Sequence, residues 1–363
     1  FKEHQIPPPL RQFPLPGNYA EMLEELRQQG WNTLAIDVHN QTGFGTKDLT
    51  VIKSAFYTIM PPGSSILLPD GYWNAPLWGS MLTGAALRGC RVFLVAPAPE
   101  NSTFSTATLL LSRTQVLFSR LIMVQNELAD ALQASGGTLK TGIYARKSAL
   151  STFDAVDEFI SNIENTPFLK KWLPFQEEVY TLLEETLKEM VEAGYQPTYY
   201  SDEAEDRRTK LHYKVSLFVS EPVRKLMTMP GWDKILRGYL EYRSKFLERA
   251  EGEYIDMEER PQALRNAFRD TVLTFFKSLS EEERQQAMAY LIVGSQNHNY
   301  RSIMVDGEMG CLVSGVSAVI PVLDLYFLAG LTTWVDDLEA LEALLPAQSG
   351  FNRWMGRYIR KVM

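Results

Sequence analysis

The spacing of apolar and polar positions changes along the chain, and each change marks an element. TLAIDV at 33–38 is a short apolar run that predicts a strand, followed by the polar loop HNQTGFGT. From about Lys47 to Thr58 the apolar positions recur at helical spacing, and PPGSS then breaks the chain. SILLPDGYW predicts a second strand, LWGSMLTGAALRG a helix ending at glycine, and RVFLVAPAP a third strand. This alternation with short connections predicts a parallel pair joined by a crossover helix, the unit of layered α/β domains. After the loop NSTFSTAT, a helix from about Thr114 to Gln133 leads through a Gly-Gly pair to the candidate strand LKTGIYAR.

Two blocks, at about 151–200 and 222–288, read mainly as helices, with acidic faces such as QEEVYTLLEETLKEM and EEERQQAM opposite apolar positions. They are expected to be helical insertions on a sheet core. The remaining strands are KLHYKVSLFVS, AYLIVGSQN and MGCLVSGV. Between Met309 and Trp334 only Asp324 is charged, a length that raises a membrane span. Gly310, Gly315, Pro321 and Asp324 interrupt it, so it divides more naturally into a strand and a buried apolar helix from about Ser317 to Thr332. Residues 1–18 are proline-dense and read as a linker arm, a short helix follows to Gly30, and 19–363 is expected to form one domain.

Composition narrows the class. An apolar content of 45% is ample for a core, whereas a net charge of -8 opposes the cationic surface that displaces counterions from nucleic acid. The doublets Lys170-Lys171 and Arg207-Arg208 are too sparse to make a positive track. The two cysteines, Cys90 and Cys311, lie in apolar strand-like runs that suit buried thiols, with a single disulfide left open. The opening at Phe1 shows no signal-peptide pattern, and the chain reads as a processed or excerpted piece, its compartment unknown.

Three groups of residues could carry chemistry. His212 and Lys214 flank Tyr213 at the start of an apolar strand, and alternation puts both on one sheet face. An imidazole beside an ammonium suits attack on a phosphodiester, the ring as nucleophile and the lysine as partner of the phosphate oxygens. By itself His-x-Lys arises often by chance. Gly294-Ser295-Gln296-Asn297 ends a second strand, where the glycine permits close approach and the Ser295 hydroxyl and Asn297 amide can donate to non-bridging oxygens. Arg301-Ser302, followed by Glu308, adds a carboxylate able to orient a histidine ring.

In this order the three groups resemble the half-site of the phospholipase D superfamily, over roughly residues 47–336. VGSQNHNYRSIMVDGE is the most specific piece. The resemblance implies a phospholipase D-like α-β-α layered sheet with large helical insertions. It implies His212 as nucleophile or general acid, Lys214 as the phosphate-binding lysine, Ser295 and Asn297 as supporting polar groups, and Glu308 as a histidine-orienting carboxylate. The chemistry it implies needs no metal or other cofactor. One histidine attacks phosphorus, a second protonates the leaving alcohol, and water or another alcohol resolves the phosphohistidine.

Two departures from the family pattern stand out. Its aspartate, five residues beyond the lysine, falls on Val219, leaving Glu221 as a substitute or the position as dispensable. Some eighty residues separate Lys214 from Gly294, so the 222–288 block must loop out and return beside the same strand. The remaining histidines, His4, His39 and His298, lie in no second His-x-Lys, and His39 and His298 read as rim or structural residues. A second half-site is therefore expected, from a longer precursor in preference to a homodimer. The substrate expected is a phospholipid, with Tyr72 and Trp73 as candidate acyl-chain contacts, peripheral membrane contact, and Trp78 in the core. The alternatives are a nuclease of the same superfamily and a non-catalytic scaffold or regulatory half.

Overall fold

The computed structural model describes residues 34–99 apart from 44, residues 107–145, 211, 213–231, 270–314 apart from 272 and 305, 318, 332–346, and single positions near the two ends. Among them an eight-stranded sheet takes the order β1-β7-β6-β5-β2-β3-β4-β8. Its strands are β1 (Leu34–Asn40), β2 (Ser65–Pro69), β3 (Arg91–Pro97), β4 (Thr138–Tyr144), β5 (Val215–Val219), β6 (Ala289–Gly294), β7 (Glu308–Ser314) and β8 (Thr333–Val335). β2, β3 and β4 are parallel and every other pairing is antiparallel. The layered α/β sheet expected from the sequence is therefore present as a mixed sheet.

The crossover helices follow the expected pattern. α1 (Asp48–Ile59) buries Leu49, Thr50, Lys53, Phe56 and Tyr57, a single stripe at helical spacing. α2 (Pro76–Leu87) starts on a proline, whose missing amide proton costs nothing in the first turn, and links the parallel strands β2 and β3. Gly79 lets α2 approach the next helix closely, since a Cβ there would meet Leu117 Cδ1 at 3.0 Å. The helix expected at 114–133 is two helices, α3 (Ala107–Glu127) and α4 (Ala129–Ser135), the second closed by Gly136 at φ 71°. α1, α2 and α3 share one core with Val38, Ile66, Leu68, Val92, Leu94, Phe218 and Ile292 on one sheet face. Leu67, Phe93, Val95 and Leu217, which alternate to the other face, are buried as well.

The long excursion after β5 closes as the motif spacing required. α5 (Glu221–Arg224), a 3-10 turn (Lys225–Thr228), helical residues between 270 and 278 and α6 (Glu281–Gln286) are among its described parts, and β6 returns beside β5 with Val215 opposite Val293. α7 (Tyr300–Met304) follows β6, and α8 (Leu338–Leu344) follows β8, a strand the sequence pattern did not reveal. The proline-rich arm, most of the helix to Gly30, of which Glu21, Glu24 and Gln28 are described as helical, the 151–200 block and most of the 317–332 helix lie outside the described residues. No helix among the described residues is long and apolar enough to cross a membrane.

Phe218 is fully buried and stacks against Phe56 at 4.9 Å, with Tyr57 at 5.6 Å, joining the central strand to α1. Phe218→Ala should cost about 3–5 kcal/mol of stability in chemical denaturation, a cavity cost that a merely peripheral ring would not show.

Candidate active site

One end of the sheet gathers the ends of five strands. Asn40 pairs with Glu308 where β1 ends and β7 begins, and Gly294 at the end of β6 pairs with Gly310. Just past β2, Asp70 pairs with Lys214, just ahead of β5, in an isolated antiparallel bridge. Val215 opposite Val293 sets Lys214 level with the end of β6. The fold therefore brings together Lys214, Ser295 and Glu308, from three separate stretches of sequence, with Asn297 two residues beyond Ser295. His212 lies outside the described residues.

The Gly294–Asn299 stretch alternates between outward and anchored residues. Gly294 is a required glycine, because a Cβ there would run into the Met309 carbonyl. Ser295 is exposed, and its hydroxyl donates to Glu308 Oε2 while accepting the Met309 amide at 3.0 Å. Gln296 is buried, and its amide donates to Thr50 Oγ1 at 2.6 Å and to the Ser302 carbonyl at 3.2 Å. Asn40 donates to the same two acceptors, at 2.9 and 3.2 Å. Asn297 is half-buried, and its Oδ1 is enclosed with no partner among the described residues. The next residue, His298, is fully buried. Asn299 then caps α7 by accepting the Ser302 amide at 2.7 Å.

His298 is the centre of a buried polar chain. Its backbone amide and Nδ1 both meet Asp70 Oδ2, at 3.0 and 2.8 Å, and the Tyr57 hydroxyl lies 2.6 Å from Nε2. Asp70 Oδ1 accepts the Tyr72 amide at 2.8 Å. These partners put the ring proton on Nδ1, donating to Asp70, and make Nε2 the acceptor of the Tyr57 hydroxyl. Trp73 stacks on the imidazole at 4.1 Å and Trp78 meets it edge-on at 5.5 Å. Burial, reinforced by the positive charge of Lys53 and opposed by Asp70, pushes the imidazole from 6.5 down to about 4. Burial likewise pushes the Tyr57 phenol up. At neutral pH the chain is a neutral imidazole between a carboxylate and a phenol, and the structural reading of His298 holds.

Two lysines share this end. Lys53 is buried on α1, donates to the Gln296 carbonyl at 3.0 Å, and is pushed down to about 8 by burial against the opposing pull of Asp70 and Glu308. Lys214 is half-buried, and burial lowers it too, again opposed by Asp70 and Glu308. A cation desolvated in this way attracts an anion more strongly than a solvated one does.

Some expectations need correction. Trp73 is not an acyl-chain contact, since its ring is enclosed between His298 and Phe118 and its indole N–H donates to the Val95 carbonyl at 3.1 Å. Tyr72 is buried as well and presents no surface to a lipid. Trp78 is in the core as expected. Glu221 cannot replace the family aspartate, because it sits past the far end of β5 and pairs with Arg224, roughly 20 Å of extended chain from Lys214. Arg301 forms a partly exposed ion pair with Asp306 at 2.6 Å. The strand SILLPDGYW ends at Pro69, because the Asp70 side chain accepts its own backbone two residues on and turns the chain.

Sequence reasoning missed Asp70, Lys53 and Tyr57. The signal for Lys53 was a lysine on the apolar stripe of a helix, and for Asp70 a Pro-Asp-Gly turn closing an apolar strand.

No family model matches the chain. No curated protein sequence matches it either. Fourteen chains of solved structures do. One is the crystal structure of phosphatidylserine synthase from Haemophilus influenzae Rd KW20, at 9% identity and a TM-score of 0.41, covering 95% of this chain and 52% of that one. This chain spans about half that enzyme's length, and at this TM-score the likeness is one of outline and carries no inference about chemistry.

The His298 shift has a sign that stability can report. The folded protein holds the ring below its unfolded value, so the contribution is fully present above about pH 6.5 and is lost as pH falls toward 4. It is on the order of 3 kcal/mol. In urea denaturation, His298→Gln should be less stable than the wild type at pH 7 and should show a shallower loss between pH 6.5 and 4. Parallel curves would assign that acid loss to other groups.

Proposed function

We propose that the chain supplies one half-site of a metal-independent phosphodiesterase or transphosphatidylase acting on phospholipids. The observation that carries this reading is the meeting of Lys214, Ser295 and Glu308 at one sheet end, with Asn297 two residues beyond Ser295, although β5 and β6 lie far apart in sequence. A half-buried, partly desolvated lysine beside a hydroxyl and an amide is a phosphate-binding arrangement: the ammonium balances the oxygens, Asn297 donates without adding charge, and Ser295 donates once its hydroxyl turns away from Glu308.

In the proposed reaction an imidazole nitrogen of His212 attacks phosphorus, forming a P–N bond. The P–O bond to the headgroup breaks as a histidine of the second half-site protonates the leaving oxygen. Water then attacks phosphorus, giving its proton to that histidine and releasing His212; an alcohol in place of water would exchange the headgroup. Glu308 holds Ser295 and lies within electrostatic reach of Lys214, so it shapes the phosphate side of the site. The second half-site comes from a longer precursor or from another copy of the chain, since no other histidine of the sequence stands in His-x-Lys.

Phosphatidylcholine and phosphatidylglycerol hydrolysis should be measured with chelator present, together with the native mass. Activity is expected in a dimer or with the second half-site restored, falling about 10³-fold or more in His212→Ala. The alkaline limb governed by Lys214 should lie below the ordinary 10.5 of lysine, because deprotonation removes the phosphate's cation. No hydrolysis with both halves present would leave a non-catalytic scaffold.

A further inference from the structure

The motif's own strand has no carboxylate for Lys214. Val219 stands in the family aspartate's place, is buried, and by alternation points to the opposite sheet face from Lys214. The neighbouring strand fills the gap. The β2–β5 register, Ser65 opposite Val219 and Leu67 opposite Leu217, continues without a slip to Asp70 opposite Lys214. Directly opposed residues of an antiparallel pair project to the same face with Cβ atoms about 5 Å apart. The Asp70 carboxylate is fully buried and fixed by three donors, the amides of Tyr72 and His298 and the His298 ring.

Resting on the half-site reading above, we propose that Asp70 is a positioning residue that couples Lys214 to the Ser295–Asn297 loop, supplying from β2 the carboxylate that β5 lacks. On one side it faces Lys214 across the strand pair. On the other it grips His298, one residue beyond Asn297, at both backbone and ring, and so sets where the loop leaves β6. Lys53 anchors the same loop from α1 through the Gln296 carbonyl, so Ser295 and Asn297 are held from two directions. The charged groups that act on Lys214 are Asp70, just past β2, and Glu308 on β7; Lys53 on α1 feels the same two, His298 and Tyr57 are held neutral, and Lys47, Arg301 and Asp306 lie beyond them at this end of the sheet.

The test is the titration of Lys214 in the full chain, read from the ¹³Cε resonance of labelled lysine and assigned by its loss in Lys214→Met. Asp70→Asn keeps the side-chain volume and removes the charge. Lys214 should then titrate at lower pH than in the wild type, and hydrolysis should fall on the order of tenfold to a hundredfold, as supporting partners of site residues commonly show. If Asp70→Asn does not fold, Asp70→Ser keeps a turn-forming acceptor and gives the same readout. A folded variant with an unmoved Lys214 titration overturns the proposal, because a purely structural Asp70 changes stability and leaves that titration alone. A shifted titration in a chain that hydrolyses no lipid supports the coupling and removes the phosphodiesterase, so the two readings fail separately.

Discussion

A carboxylate buried out of reach of water is tolerable only where donors or cations surround it, and the site end of this sheet is organised by that constraint. Asp70 has no solvent exposure, and its oxygens are satisfied by two backbone amides and an imidazole N–H. To supply them the chain must turn back on itself at Tyr72, bring residue 298 across from the end of β6, and stack Trp73 over the ring. Tyr57 then completes the imidazole from α1. One buried charge thus joins β2, α1 and the loop after β6 into a unit whose parts cannot shift independently.

The loop that hangs from this unit shows how alternation divides labour. Gln296 and His298 point inward and make bonds typical of a core, whereas Ser295 is exposed and bonded to Glu308 and Asn297 is half-buried. Period-two geometry, familiar from strands, persists here past the last ladder bond. Burial of Lys53 beneath the same loop adds a cation that faces Asp70 and Glu308, so two carboxylates near each other are offset by two lysines.

Much of this was legible in the sequence where the signal is local. The strands β1 to β7, the crossover helices and the parallel β2–β3 pair follow from apolar spacing and turn residues, and the half-site resemblance named Lys214, Ser295, Asn297 and Glu308. Long-range pairing left no such trace. That Asp70 would stand opposite Lys214 depends on β5 inserting between β2 and β6, which no periodicity encodes, and the split of one expected helix at Leu128 depends on a local break in an otherwise helical pattern. Trp73 misled because an aromatic at a strand end looks the same whether it packs inward or faces a ligand; stacking on His298 decides it.

The strand order carries a consequence for how the chain is made. β1 is synthesised before every other described strand, yet its sheet partner is β7, so its backbone groups wait unpaired until residues 308–314 have left the ribosome. The parallel β2–β3–β4 ribbon can assemble early from neighbouring segments, whereas the Asn40–Glu308 pairing can form only at the end. Thr50 and Lys53, carried on the helix that follows β1, meet Gln296 only then. The ribbon on one side of the sheet is therefore complete along the chain well before the strand ends that carry Lys214, Ser295 and Glu308, so the two sides of one sheet are made at different times.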